Sequence, residues 1–191
     1  MQRAHKVFTP KEYLAQEEAA ETRSEYYRGQ IYAMSGGTLN HNRIVVRLIR
    51  ELSLALGRGP CEAFSSDQRI LVEKNGLYTY PDAAVVCGDI QLAPGRKDTI
   101  TNPILIVEVL SESTRDYDRG DKFKLYRAIP TLQHYILIDQ DEVRVEHYRK
   151  HKNDWVIESY TRMSDALTIK LGEKIVKLRV RDLYDKVKFS T

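Results

Sequence analysis

ILIVEVLSESTRDYDRGDKFKLY, residues Ile104–Tyr126, decides how the rest of the chain is read. Ile104, Leu105, Ile106, Val107, Val109 and Leu110 form one continuous apolar run, the signature of a strand buried on both faces. Glu108 interrupts it. A carboxylate inside such a strand is expensive unless a cation or dense hydrogen bonding compensates it. A helix is predicted to begin at Asp118 and to be stopped by Pro130. At about 100° per residue, Leu125, Tyr126 and Ile129 define its apolar side. Lys122 falls in the middle of that side and Lys124 opposite. Adjacent elements therefore bring an acid and an amine onto surfaces meant for burial.

Outward from this stretch the chain alternates helical and extended patterns. Thr9-Pro10-Lys11-Glu12 reads as a capping box opening a helix over 10–20. SEYYRGQIYAMS reads as a hairpin around Arg28-Gly29. Ile44, Val45, Leu48, Ile49, Leu52 and Leu56 recur at helical spacing over 40–56, with Gly57 as the stop. Strands are expected over 62–64, 68–73 and 78–86, with Asn75-Gly76 as a hairpin turn, and a loop over 88–102. HYILID is a second buried strand, VRVEHYRK a half-exposed one. Short strands over 155–160 and 174–178 and a helix over 180–187 complete the pattern. The order predicts an α/β fold with a mixed central sheet, flanked by the 40–56 and 118–129 helices. An N-terminal helix and hairpin and C-terminal strands would decorate it. One domain over residues 1–191 is the expected organisation.

The composition is ordinary for a globular protein, with 30% charged and 42% hydrophobic residues and a net charge of +3. That balance neither demands nor excludes a polyanionic partner. The seven Lys/Arg against three Asp/Glu from Lys170 onward read first as a solvated face, and secondarily as a phosphate-binding groove. Cys61 and Cys87 lack metal-ligand spacing and are read as uncrosslinked, Cys87 as a small buried hydrophobe. No apolar run approaches the roughly eighteen residues of a membrane span, and no signal peptide heads the chain. The expectation is a cytoplasmic protein without membrane contact.

The chemistry rests on Tyr80-Pro81-Asp82, at the mouth of the apolar run Ala83–Val86, and on Glu108. If their strands are neighbours, the two carboxylates meet at one end of the sheet. Such a pair either shares a proton or holds a divalent cation, and all-oxygen donors select magnesium or manganese. With Lys122 added, the set describes phosphodiester hydrolysis. The competing readings are a turn residue for Asp82 and an internal salt bridge, with Lys122 as a candidate partner, for Glu108. Asp116 and Asp118 read as loop-ordering and helix-capping residues. Ser111 lacks the base and orienter of a serine hydrolase.

These residues carry a resemblance. P-D, about 25 residues, then E-x-hydrophobic in an apolar strand resembles the PD-(D/E)xK nuclease superfamily, with its restriction-endonuclease-like fold. More narrowly, EYYRGQIYAMSGG, His41, YPDAAVV, IVEVLSEST, YDRGDKFKLYRAIP and HYILID resemble, in order over about residues 8–150, a bacterial family of uncharacterised restriction endonucleases. The resemblance implies a Mg2+-dependent (or Mn2+-dependent) endonuclease acting on DNA. Asp82 and Glu108 would hold the metal together with the main-chain carbonyl of Val109. Leu110 stands where the superfamily motif has lysine, and the narrower family implies that Lys122 takes its place. Glu25 matches a family acid that would complete the metal shell, with an exposed strand glutamate as the alternative. His41 matches a family histidine and is expected to cap or hydrogen-bond. Tyr126 is expected to pack, with a hydrogen bond to Lys122 or phosphate as the second reading. A homodimer is compatible with cutting two strands. The alternative function is a non-catalytic nucleic-acid-binding or interaction module that kept the fold.

Overall fold

The computed structural model describes residues 6–189. The capping box forms as read, opening α1 (Pro10–Ala19). The Thr9 hydroxyl accepts from the Glu12 amide, and the Glu12 carboxylate accepts from the Thr9 amide. β1 (Ser24–Tyr27) and β2 (Gln30–Ala33) form the expected hairpin. Arg28 and Gly29 both take positive φ, as a tight two-residue turn requires. α2 (Leu39–Leu56) buries Ile44, Leu48, Leu52 and Leu56, one per turn. Then follow β3 (Cys61–Ser65), β4 (Arg69–Val72), β5 (Leu77–Thr79), β6 (Ala83–Cys87), β7 (Thr99–Ile100) and β8 (Leu105–Leu110). After α3 (residues 115–126) come β9 (His134–Asp139), β10 (Val145–His151), β11 (Asp154–Tyr160), β12 (Ala166–Leu171) and β13 (Lys174–Arg179).

The mixed sheet runs β11-β10-β9-β8-β6-β3, with β8 and β9 its parallel pair. Parallel neighbours need a crossover, and α3 supplies it. Side chains of the central strands alternate between two apolar layers. Leu105, Val107 and Val109 join Ile136 and Ile138 in the layer under α2 and the β12–β13 hairpin. Ile106 and Leu110 join Tyr135, Leu137, Phe123 and Tyr126 in the layer under α3, β4 and β5. Both faces of β8 are covered, which is why it carries no polar alternation.

Several expectations need correction. The run read as one strand over 78–86 is two strands in different sheets. Pro81 cannot donate to a ladder, and the chain crosses between sheets at Tyr80-Pro81-Asp82. The N-terminal hairpin is no decoration, because β2-β1-β5-β4-β7 form a second, five-stranded sheet. The loop over 88–102 contributes β7 to that sheet. β12 went unread, although Leu167, Ile169 and Leu171 alternate and are fully buried. The helix expected over 180–187 is a single turn, Val180–Leu183, after which Lys186 takes φ +65°. Cys61 and Cys87 are disulfide-bonded to each other, since the β3–β6 register sets them opposite. Among the described residues no helix is long and apolar enough to cross a membrane.

Candidate active site

Glu108 faces the α3 layer because it shares its strand parity with Ile106 and Leu110. Only 5% of its surface is exposed. Its Oε1 accepts from the Lys122 Nζ at 2.9 Å and from the Tyr126 hydroxyl at 2.7 Å. Lys122, 6% exposed, also lies 3.0 Å from Glu25 Oε1 and 3.6 Å from Asp118 Oδ1. The Thr79 hydroxyl donates to Glu25 at 2.5 Å and sits 3.1 Å from the Tyr126 hydroxyl. One ammonium therefore serves three carboxylates.

Asp82 arrives from the sheet crossing. Ala83 pairs with Val107, so one further antiparallel step sets Asp82 against Glu108. Its Oδ2 accepts from the Val109 amide at 2.7 Å and lies 3.3 Å from His41 Nε2. His41 does not cap α2; the Thr38 hydroxyl does, accepting from the His41 amide at 3.1 Å. The His41 ring instead contacts Asp82, held by Gly37, where an added Cβ would stand 2.7 Å from Nδ1. Glu25, His41, Asp82, Glu108, Asp118 and Lys122 line one cavity of about 750 Å³.

The helix that brings Lys122 is irregular. α3 begins with an α turn, Arg115–Tyr117, passes through a π-helical stretch, Asp118–Lys122, and ends in the α turn Phe123–Tyr126. Its start is at Arg115 rather than Asp118, and no side chain caps it. Asp118 is buried inside the helix facing Lys122, correcting its reading as a cap. Lys124 points to solvent, as the facing argument required. Tyr126 is fully buried, and its hydrogen bond goes to Glu108 rather than to Lys122.

Acids outnumber bases here, and the ionisation reflects it. Burial pushes Glu108 up to about 8, with Asp118, Asp82 and Glu25 adding to the rise against the opposing pull of Lys122. Burial likewise raises Asp118. For Lys122 burial acts downward, but Glu108, Tyr126, Glu25 and Asp118 together hold it well above its ordinary range. The ammonium thus stays charged, and one cation shared three ways cannot keep every carboxylate ionised. Burial also pulls His41 down, yet its contacts with Asp82 and the Val109 main chain leave it raised.

A hard divalent cation fits this donor set, which is all oxygen and carries surplus negative charge. Among the described residues no three His, Cys, Asp or Glu side chains form a ready-made coordination shell. Sequence reasoning missed Thr79 and misjudged Asp118. Neither had a local signal: Thr79 sits in a short buried strand, and Asp118 looks like any acid near a helix start.

The family model described as "Putative restriction endonuclease", Uma2, matches residues 10–180. The chain belongs to the Uma2 family. Two uncharacterized proteins of Synechocystis sp. resemble it along most of their length. One is 43% identical over 145 residues, 76% of this chain and 82% of the relative. The other is 44% identical over 165 residues, 85% of this chain and 84% of the relative. The fold recurs in a crystal structure from Anabaena variabilis, titled as a "putative nuclease belonging to DUF820". Its TM-score is 0.75 at 20% identity, covering 95% of this chain and 99% of that one. Uma2 membership and this neighbour agree with the restriction-endonuclease-like α/β fold read from the sequence, and the family description is that of a nuclease.

Proposed function

We propose that this chain is a Mg2+-dependent nuclease hydrolysing DNA phosphodiester bonds in the cavity floored by Asp82, Glu108 and Lys122. One observation carries the reading. The motif position after Glu108 is Leu110, yet an ammonium still reaches Glu108, delivered 2.9 Å away by α3. Asp82, Glu108 and the Val109 carbonyl would hold the cation (Mg2+ or Mn2+). When bound, it supplies an acidified water and a polarised phosphorus. The chain's own groups do the positioning. Tyr126 and Thr79 fix the Glu108 and Glu25 carboxylates, and Lys122 orients the attacking water and offsets charge growing on the phosphoryl oxygens. Water oxygen bonds to phosphorus as the ester P–O bond breaks, the water giving up a proton to solvent and the departing oxygen taking one from solvent. Glu25 keeps the ammonium aimed and is available to complete the shell.

The test is DNA cleavage in magnesium by purified Asp82→Asn and Glu108→Gln. Each is expected to lose at least about a hundredfold in rate, the scale of losing one oriented electrostatic group. Wild-type activity in either variant would remove the assigned site. The other reading, a non-catalytic module, is favoured by the internal partners both acids already have: His41 and the Val109 amide for Asp82, Lys122 and Tyr126 for Glu108. Calorimetric titration with Mn2+ separates the two, since a binder shows no heat that Asp82→Asn abolishes.

A further inference from the structure

Three of the chain's exposed large hydrophobic side chains gather at the mouth of the same cavity. They are Tyr32 (54% exposed), Met34 (37%) and Tyr117 (38%). Tyr32 is the cross-strand partner of Glu25, so its ring stands beside a carboxylate bonded to Lys122. From the other wall, the Tyr117 ring centroid lies 6.0 Å from the Lys122 ammonium. Two aromatic faces therefore flank the proposed reaction centre within one side chain's reach.

The charge lining the cavity is wrong for a duplex. Proteins that grip duplex DNA neutralise several phosphates with rows of lysine and arginine. Among the described residues no arginine lines this cavity. Lys122 is shared by buried carboxylates, and Lys124 is paired with Asp121 at 2.9 Å. Asp82, Asp118 and Glu25 add repulsion for any phosphate beyond one compensated by a cation. At about 750 Å³ the cavity has the size of a small-molecule pocket. In an intact duplex the base faces are stacked inside and unavailable to tyrosine rings, whereas an unpaired base offers its π-face to any aromatic.

We infer that the strand enters this site unpaired, with a splayed base stacked on Tyr32 and Tyr117 and its phosphate lowered toward Lys122. The substrate class is single-stranded nucleic acid, or single-stranded ends and loops. This deepens the nuclease reading and rests on it for the scissile phosphate; the stacking itself does not require cleavage.

The full chain would be titrated, by fluorescence anisotropy in EDTA and in Ca2+, against a labelled single-stranded DNA, an RNA of the same sequence and the blunt DNA duplex. Single strands are expected to bind at least about tenfold tighter than duplex. Tyr32→Ala and Tyr117→Ala are each expected to weaken single-strand binding about fivefold or more, the lower end of one base–aromatic stack. Tyr32→Phe and Tyr117→Phe keep the ring and should restore it. Duplex binding at equal affinity, single-strand binding untouched by the alanine variants, or no rescue by phenylalanine would each overturn the inference. Asp82→Asn and Glu108→Gln run in parallel separate the two claims. If cleavage survives in them while the tyrosine dependence holds, the assigned nuclease centre falls and the stacking stands. If they abolish cleavage while the tyrosine variants bind normally, the nuclease stands and the stacking falls.

Discussion

At the scale of single residues, the site is a problem in charge supply. Lys122 faces Glu108, Glu25 and Asp118, all largely buried. Lys122→Met leaves those carboxylates without a cation. Removing one partner of a buried ionic cluster costs about 3–5 kcal/mol, because the remaining charge has nowhere to go. Urea unfolding of Lys122→Met at pH 8 is expected to show a loss of that size, and the added substitution Glu108→Gln should recover part of it. A loss below about 1 kcal/mol would mean the ammonium is not the centre of the cluster. The pairing was legible in the sequence because it needs only two periods: β8 alternates every second residue, and the helix turns about 100° per residue. Of the other partners, Glu25 entered only through the family resemblance and Thr79 not at all. Glu25 and Thr79 reach the cluster through pairing of β1 with β5, strands about fifty residues apart, and no local pattern encodes that register. His41, read as either a cap or a hydrogen-bonding residue, takes the second role for a related reason. Thr38, three residues earlier, has the better geometry for capping, and that freed the imidazole for Asp82.

At the scale of elements, the irregularity of α3 does the aiming. Asp118 and Lys122, the two ends of the π-helical stretch, face one cavity while Phe123 and Tyr126 stay in the core. Such one-turn widenings concentrate at functional sites because they re-aim side chains without breaking the helix. Deleting Gly120, where an added Cβ would meet nothing within 4 Å, should convert the stretch toward a regular α turn. Asp118 would then stand three residues before Lys122, on the same face but turned about 60° from it around the axis. Its carboxylate would be drawn away from its present 3.6 Å approach to the ammonium. The expected outcome is a folded protein by circular dichroism that has lost magnesium-dependent cleavage. Retained cleavage would show that the π stretch does not set the geometry. Periodicity places this helix but assumes constant pitch, so its start was read three residues late. The break at Pro81 was visible too, as a strand boundary, but not that the two halves belong to different sheets. That depends on what Leu77–Thr79 pairs with, a question of tertiary register.

At the scale of the whole molecule, the apolar layer under α2 closes only when the β12–β13 hairpin docks against β9 and β10. Leu167, Ile169 and Leu171 supply the apolar contact, and a buried histidine pair supplies a polar one. His134 Nε2 lies 2.9 Å from the Lys170 carbonyl oxygen, which can only accept, so the proton sits on Nε2. His134 Nδ1 must then accept from His147 Nε2, 2.9 Å away. That leaves His147 Nδ1 as a buried lone pair with no partner in the structure. Both rings are neutral in this arrangement. Burial lowers His134, and burial first, with His134 and Arg149 adding to it against Glu158, lowers His147 from 6.5 to about 4. The folded state therefore binds fewer protons than the unfolded chain between about pH 6.5 and 4. Stability from the pair is complete above pH 6.5 and drains away as pH falls through that window. From pH 7 to pH 5 the His147 share amounts to about 2 kcal/mol. Glu108, raised to about 8, acts with the opposite sign, since it takes up a proton in the folded state first. The wild-type curve alone thus mixes two slopes. The difference between wild type and His147→Leu isolates one of them. Urea midpoints at pH 7 and pH 5 should show wild type losing about 2 kcal/mol relative to the variant. Parallel curves would mean the imidazole does not titrate with docking of the hairpin, and that the apolar contacts of β12 hold that layer closed unaided.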